Sequence, residues 1–243
     1  GIDLVAMVVD DLVVCGAEPL FLQDYIAIGK VEPEHVASIV EGIAEGCVQA
    51  GCALLGGETA EHPGLMAPGE YDISATGVGI VEADEVLQAE NVKPGDVILG
   101  MASSGLHSNG YSLARHVLLD LARLPLEGHV EEFGRTLGEE LLEPTRIYAL
   151  DCLSLIAETD VRVFSHVTGG GLADNLGRVM PRGLVARLDR PPRSRRAGRD
   201  GADLQHGRRH DRRAARGGRR PGPGGAHRTT CRELGDRPRG EVR

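Results

Sequence analysis

The sequence holds no apolar run approaching the ~18 residues that a membrane-spanning helix needs, and no charged segment leading into an apolar one near its start. Both absences argue against a membrane span and against export, and the chain reads as soluble and cytoplasmic. The five cysteines, Cys15, Cys47, Cys52, Cys152 and Cys231, form no CxxC pair and match no zinc-site spacing. An odd number of thiols scattered through apolar segments reads as buried, reduced cysteine. Neither GxxxxGK[ST] nor a spaced GxGxxG occurs, which excludes the P-loop and the dinucleotide-binding turn. Position 1 is Gly, running directly into the apolar Ile2 and its neighbours, so the start is expected to lie inside a longer protein.

Lysine is missing from residues 192–243, yet that stretch carries 16 Arg against 6 acids, a balance of +10. Residues 1–191 carry 11 basic and 30 acidic residues, a balance of −19. Such asymmetry ordinarily suggests a basic arm for nucleic acid; the last paragraph of this section gives a different reading.

Up to residue 190 the chain has the punctuation of a folded domain. Dense apolar residues over 2–14 predict a helix stopped by Gly16, and residues 19–28 predict a buried strand. Val36, Ile39, Val40, Ile43, Cys47 and Val48 recur at three- and four-residue spacing after Pro33, predicting an amphipathic helix that ends at Gly51. Residues 53–55, 71–81, 97–101, 161–167 and 184–188 predict strands. Residues 111–124, 145–157 and a short stretch ending near 179 predict helices. Strands and helices alternate throughout, so the fold class is α/β (α+β) with two domains. The expected boundaries are 1–86, 87–190 and an Arg/Gly/Pro-rich tail, 191–243, whose composition cannot bury a core.

Four motifs carry chemistry. Asp11 precedes Gly16-Ala17-Glu18-Pro19, which puts a carboxylate near a tight bend where Mg²⁺ shared with nucleotide phosphates would find a ligand; Asp10 and Asp24 add further acid, and solvated charges at a helix end explain the pattern as well. Gly56-Gly57-Glu58-Thr59 follows a strand; its glycines permit close approach of a ligand and Glu58 could ligate metal, although a plain turn is the competing account. His107-Ser108-Asn109 lies between a strand and a helix, where backbone N–H groups favour phosphate and His107 could act as acid, base or donor; an N-cap is the alternative. Gly169-Gly170-Gly171 follows Ser165-His166-Val167-Thr168 and precedes a helix, as a phosphate-approaching loop or a simple connection.

Taken together these motifs are far more specific than any one alone. Asp11 to Pro19 fits the D-x4-G-A-x-P signature of an ATP-using superfamily that includes selenophosphate synthetase and thiamine-phosphate kinase. GGETAEHPG, HSNGYSL, EPTRIY and HVTGGG, in this order, resemble the phosphoribosylformylglycinamidine cyclo-ligase family, over residues 1 to about 190. The resemblance implies a two-domain enzyme with its site between domains and a homodimer formed through the first domain. The implied reaction uses ATP to phosphorylate the formamide oxygen of formylglycinamidine ribonucleotide. A nitrogen then attacks that carbon, closing the ring of aminoimidazole ribonucleotide with release of ADP and phosphate. The implied roles are catalysis by His107, Ser108 and Asn109, and ATP or substrate binding by Asp11, Gly57, Glu58, Thr59, Gly169, Gly170 and Gly171. Mg²⁺ is implied at Asp11 and Glu58. No nucleic-acid or membrane partner is implied. The other superfamily branches, or an inactive truncated product, are the alternatives; the 243-residue chain as it stands is expected to be inactive and poorly folded, because strands of the family fold are missing at both ends. Two departures stand out: position 10, often Asn in the family, is Asp here, and a DGVGTK-like nucleotide segment is not found in these residues.

The resemblance also implies a TFNMGVGMI-like stretch where the tail reads DLQHGRRHDRR, residues 203–213. Codons exist for those eleven residues that, read one nucleotide later, give TFNMGVGMIA. A frame slip near residues 190–193 in GC-rich DNA is therefore expected. It accounts for the Arg, Gly and Pro excess without a nucleic-acid function.

Overall fold

A computed structural model describes residues 1–187 and the backbone of residues 227–233. Its first half is built on a three-stranded sheet of order β2-β1-β3. Helix α1 (Ile2–Val13) leads into β1 (Glu18–Ile28), α2 (Pro33–Ala50), β2 (Ala53–Glu61) and β3 (Tyr71–Ile80). Central β1 runs parallel to β2 and antiparallel to β3. Every second β1 side chain is buried, because one face of the sheet lies under the helices: Leu22, Ile26 and Ile28 meet Val5, Val9 and Val13 of α1 and Ile39, Ile43 and Cys47 of α2. The other face exposes Tyr25, Val78 and Ile80.

Local sequence explains the ends of α2. Pro33 fits the first turn, where no N–H partner is needed. Gly51 adopts φ +74°, and the N–H groups of Gly51 and Cys52 donate to Val48 O (3.2 Å) and Cys47 O (3.0 Å), a Schellman ending that stops the helix and starts β2.

Where residues 53–55 alone are expected as strand, β2 continues through Glu61, so Gly56-Gly57-Glu58-Thr59 is ladder rather than turn. The register against β1 jumps from Leu22↔Leu54 to Gln23↔Gly56, and Gly56 takes φ +149° at this bulge.

In the second half, β4 (Val97–Gly100), α3 (Tyr111–Arg115), the hairpin β5 (His129–Val130) and β6 (Arg135–Thr136), α4 (Leu137–Leu141), α5 (Ala149–Glu158), α6 (Gly171–Arg178) and β7 (Leu184–Arg187) follow in order. After α3 the helix widens into a π turn over His116–Leu121. Residues 161–167, expected as a strand, are half-buried chain without strand pairing to any described residue. Helix α5 starts four residues later than expected, and in the non-helical segment before it the N–H groups of Thr145 and Tyr148 donate to carboxylates of α1. Helix α5 packs on α1, placing Ala149 and Cys152 in the same core as the first sheet.

Strand β8 (His227–Glu233), inside the stretch read as unable to bury a core, pairs antiparallel with both β4 and β7. The remainder of the expected tail, and with it the frame-slip region, lies outside the described residues. Cys15, Cys47, Cys52 and Cys152 are free thiols. No helix among the described residues is long and apolar enough to cross a membrane.

Candidate functional site

Three of the four motifs meet where the C-terminal turns of α1 face the second half. Valines 5, 9 and 13 turn one stripe of α1 toward the core, which leaves Asp3, Asp10 and Asp11 to meet chain that arrives some 140 residues later. Asp10 is only 4% exposed and accepts the Tyr148 N–H at 3.1 Å. Burial pushes its carboxyl from 3.8 up to about 6; the Tyr148 N–H and the nearby His166 pull the other way, and Asp11 adds to the rise. Asp11 is exposed at the rim, with Oδ1 2.7 Å from His166 Nδ1.

The loop over 102–110 supplies the second wall. The Ser104 hydroxyl donates to Pro144 O (2.7 Å), and both the Ser104 N–H (3.2 Å) and the Ser104 Oγ (3.1 Å) lie against His107 Nε2. The rings of His107 and Tyr148 lie 6.2 Å apart. Asn109 reaches the glycine run: a Cβ on Gly169 would sit 3.6 Å from its Oδ1. Gly170 caps α6, and buried Asn175 organises that turn, donating to Gly171 O at 2.7 Å and accepting from Thr168 Oγ1 at 3.2 Å. The hydroxyls of Ser108 and Ser165 are buried without a partner. An unpartnered buried hydroxyl is disfavoured by ~1–3 kcal/mol.

The fourth motif stands apart. Strand alternation puts Glu58, opposite Tyr25, on the face of the sheet away from α1 and α2, in a shallow groove with Gln23, Ser74 and Thr76. Thr59 pairs with Ile26 in the ladder. Gly57 lies against Asp24 so closely that any Cβ there would overlap the carboxylate Oδ1. Burial raises the pKa of Asp24. Asp11 and Glu58 therefore do not share a metal site within this chain. Among the described residues no group of three or more His, Cys, Asp or Glu side chains could hold a metal ion. Of the adjacent Asp10 and Asp11, only Asp11 is exposed, and a cation carried on nucleotide phosphates needs no more than one or two protein carboxylates.

Three residues at this meeting point were not singled out by motif reasoning. Asp10 reads from sequence as supplementary acid, His166 as part of a loop and Tyr148 as the end of EPTRIY. The available signal is the seven-residue spacing of Asp3 and Asp10, which places both carboxylates on one helical face.

Comparison with known proteins matches residues 1–81 to the AIR synthase related protein, N-terminal domain, and residues 93–206 to its C-terminal domain. The chain is 56% identical over 188 residues to the phosphoribosylformylglycinamidine cyclo-ligase of Carboxydothermus hydrogenoformans, covering 77% of this chain and 55% of that protein. It is 58% identical over 190 residues to the cyclo-ligase of an Anaeromyxobacter species (strain Fw109-5), covering 78% and 55%. The chain thus spans about half the length of the curated relatives it matches. Among solved structures, hydrogenase maturation protein HypE shares the fold at 22% identity, with a TM-score of 0.52 over 73% of this chain and 50% of that one.

Proposed function

This chain belongs to the AIR synthase related family, and on that premise we propose that its residues serve the ATP-dependent closure of formylglycinamidine ribonucleotide to aminoimidazole ribonucleotide, with release of ADP and phosphate. The observation that carries the reading is the meeting of Asp10 and Asp11, the 107–109 loop and the 166–171 loop at one place. The identity above 50% to two cyclo-ligases supports the choice of reaction.

In this reading the start of α6 and the amide of Asn109 face the transferring phosphoryl group, with the Gly169–Gly171 backbone close enough to approach its oxygens. His107 offers a ring N–H to the formamide oxygen as charge builds on it. Asp11, oriented by His166, holds the nucleotide end. Mg²⁺ carried on the phosphates would supply charge neutralisation there. Phosphorylation by ATP converts the formamide oxygen into a leaving group; the amidine-side nitrogen then bonds to that carbon and releases its proton to solvent as the C–O bond breaks and phosphate departs.

Gly57, Glu58 and Thr59 keep their proposed nucleotide role only if another polypeptide segment closes over the uncovered sheet face. The homodimer implied by the family would do so through Tyr25, Val78 and Ile80. The reaction belongs in the cytoplasm, with small nucleotides as the only partners besides the second subunit. The test is ADP formation with formylglycinamidine ribonucleotide, thiamine phosphate or selenide as acceptor, each assayed separately. Turnover confined to the first supports the reading, and turnover confined to either of the others removes it.

A further inference from the structure

The segment 143–148, the EPTRIY motif, has no part in the chemistry above, yet almost every polar group in it is engaged. Pro144 O accepts from the Ser104 hydroxyl at 2.7 Å. Thr145 donates both its N–H (2.9 Å) and its hydroxyl (2.6 Å) to Asp3 Oδ1. Tyr148 donates its N–H to Asp10 Oδ1 at 3.1 Å and its hydroxyl to Ala102 O at 3.0 Å. The Arg146 guanidinium lies 5.4 Å from the centre of the Tyr148 ring and is held by Asp151 at 2.6 Å. Burial raises the Tyr148 phenol to about 12, so it remains a donor at any physiological pH.

Tyr148 is thus the only one of these residues that touches both walls of the site. Its main chain is fixed to α1 and its side chain to the loop carrying His107, with the two rings 6.2 Å apart. We propose that Tyr148 is a positioning residue that sets the distance between His107 and the Asp10–Asp11 carboxylates. Its effect on turnover rests on the proposed function; its effect on the His107 ring does not. Because α1 belongs to the first family domain and the His107 loop to the second, the spacing that Tyr148 sets is one between domains. A displacement of about 1 Å at such a site can lower a rate about 100-fold.

The test uses the full 243-residue chain as wild type, Tyr148→Phe and Tyr148→Leu. Aromatic proton–carbon NMR follows the His107 ring, identified by the signal that disappears in His107→Gln. In wild type a nuclear Overhauser effect connects the two rings. Tyr148→Phe, which removes only the donor to Ala102 O, moves the His107 resonance part of the way, and Tyr148→Leu moves it further and broadens it while the Ile43 methyl signals of the core stay in place. In turnover, Tyr148→Leu lowers kcat roughly 10- to 100-fold with the KM for ATP changed less than about threefold, and Tyr148→Phe gives a smaller loss of the same kind. A missing ring-to-ring effect in wild type, which needs no variant to fold, overturns the proposal. So does an unmoved His107 resonance in Tyr148→Leu. Absence of turnover in every form, with the NMR result as expected, would identify this chain as an inactive truncated product and leave the positioning role standing.

Discussion

Replacing Asp10 by Asn should make the protein more stable at neutral pH and leave it unchanged in acid. The carboxyl is 4% exposed and its pKa rises from 3.8 to about 6, first because burial disfavours the charged form. A rise of about two units corresponds to ~3 kcal/mol, at ~1.4 kcal/mol per unit. The sign follows from which state holds the proton more tightly. Below about pH 4 the group is protonated in both folded and unfolded chains, and its preference for the neutral form is fully satisfied. Between about pH 4 and 6 the unfolded chain releases its proton first, so the fold loses stability as pH rises, and above about 6 the loss is complete. Asn has nearly the same shape, its Oδ1 can still accept the Tyr148 N–H, and it cannot ionise. Urea unfolding in EDTA should therefore give superimposable curves for wild type and Asp10→Asn at pH 3.5. At pH 7.5 the variant's midpoint should lie about 1–2 M higher, for a slope of ~2 kcal/mol per M. A variant less stable than wild type at pH 7.5, or a gain of equal size at both pH values, would refute the argument from burial. Asn is also the residue that the resembled family often carries at this position, so the natural Asp retains a charge here at the expense of stability.

Asp3→Ala should destabilise the fold by ~1–3 kcal/mol in the same urea assay, because the buried Thr145 loses the acceptor of both its N–H and its hydroxyl; no loss would mean that the Asp3 contact is incidental. Gly51→Ala should cost ~1–2 kcal/mol, since φ is +74° and the new Cβ would lie 3.1 Å from Leu150 Cδ2; unchanged thermal stability would contradict the Schellman ending. His107→Gln should lower kcat for ring closure by ~10²- to 10⁴-fold with the unfolding midpoint nearly unchanged, and retention of full turnover would take His107 out of the reacting centre. Sequencing the coding DNA across residues 180–215 should reveal TFNMGVGMIA in the next frame; codons that cannot encode it would eliminate the frame slip.

The parts of the fold legible in the sequence are those governed by short-range rules. Helix α2 could be read almost to the residue, from Pro33 to Gly51, because its periodicity, first-turn proline and terminal glycine all lie within one segment. Strand β1 was legible because its apolar residues are buried on one face of a central strand. The errors arise where distant partners decide. The β2 ladder runs through Gly56-Gly57, which look like a turn but are held in register by β1 on one side. Residues 161–167 look like a strand, yet local propensity cannot supply the neighbouring strand that a ladder requires. The first turn predicted for α5 is non-helical chain, in which Thr145 and Tyr148 bond α1 carboxylates 142 and 138 residues away.

The site follows the same division. His107, Ser108, Asn109 and the glycine run announce themselves by residue type beside a helix start, and sequence reasoning finds them without knowing what they face. What they face is α1, and the four bonds that fix this, to Asp3, Asp10 and Asp11, each span more than 130 residues. In sequence α1 looks like a plain apolar helix with a few solvated acids, because its valines account for its burial and nothing nearby accounts for its carboxylates. Those carboxylates become informative only when the second half of the chain is laid against them. Asp10 then turns from a surface acid into a buried group with a raised pKa. Asp11 turns from a generic rim acid into a carboxylate whose orientation His166 sets. The same contact explains why Glu58, the other expected ligand, is not reached: β2 places it across the sheet from α1, so any reaction that uses both needs the uncovered face to be closed by further chain or a second subunit.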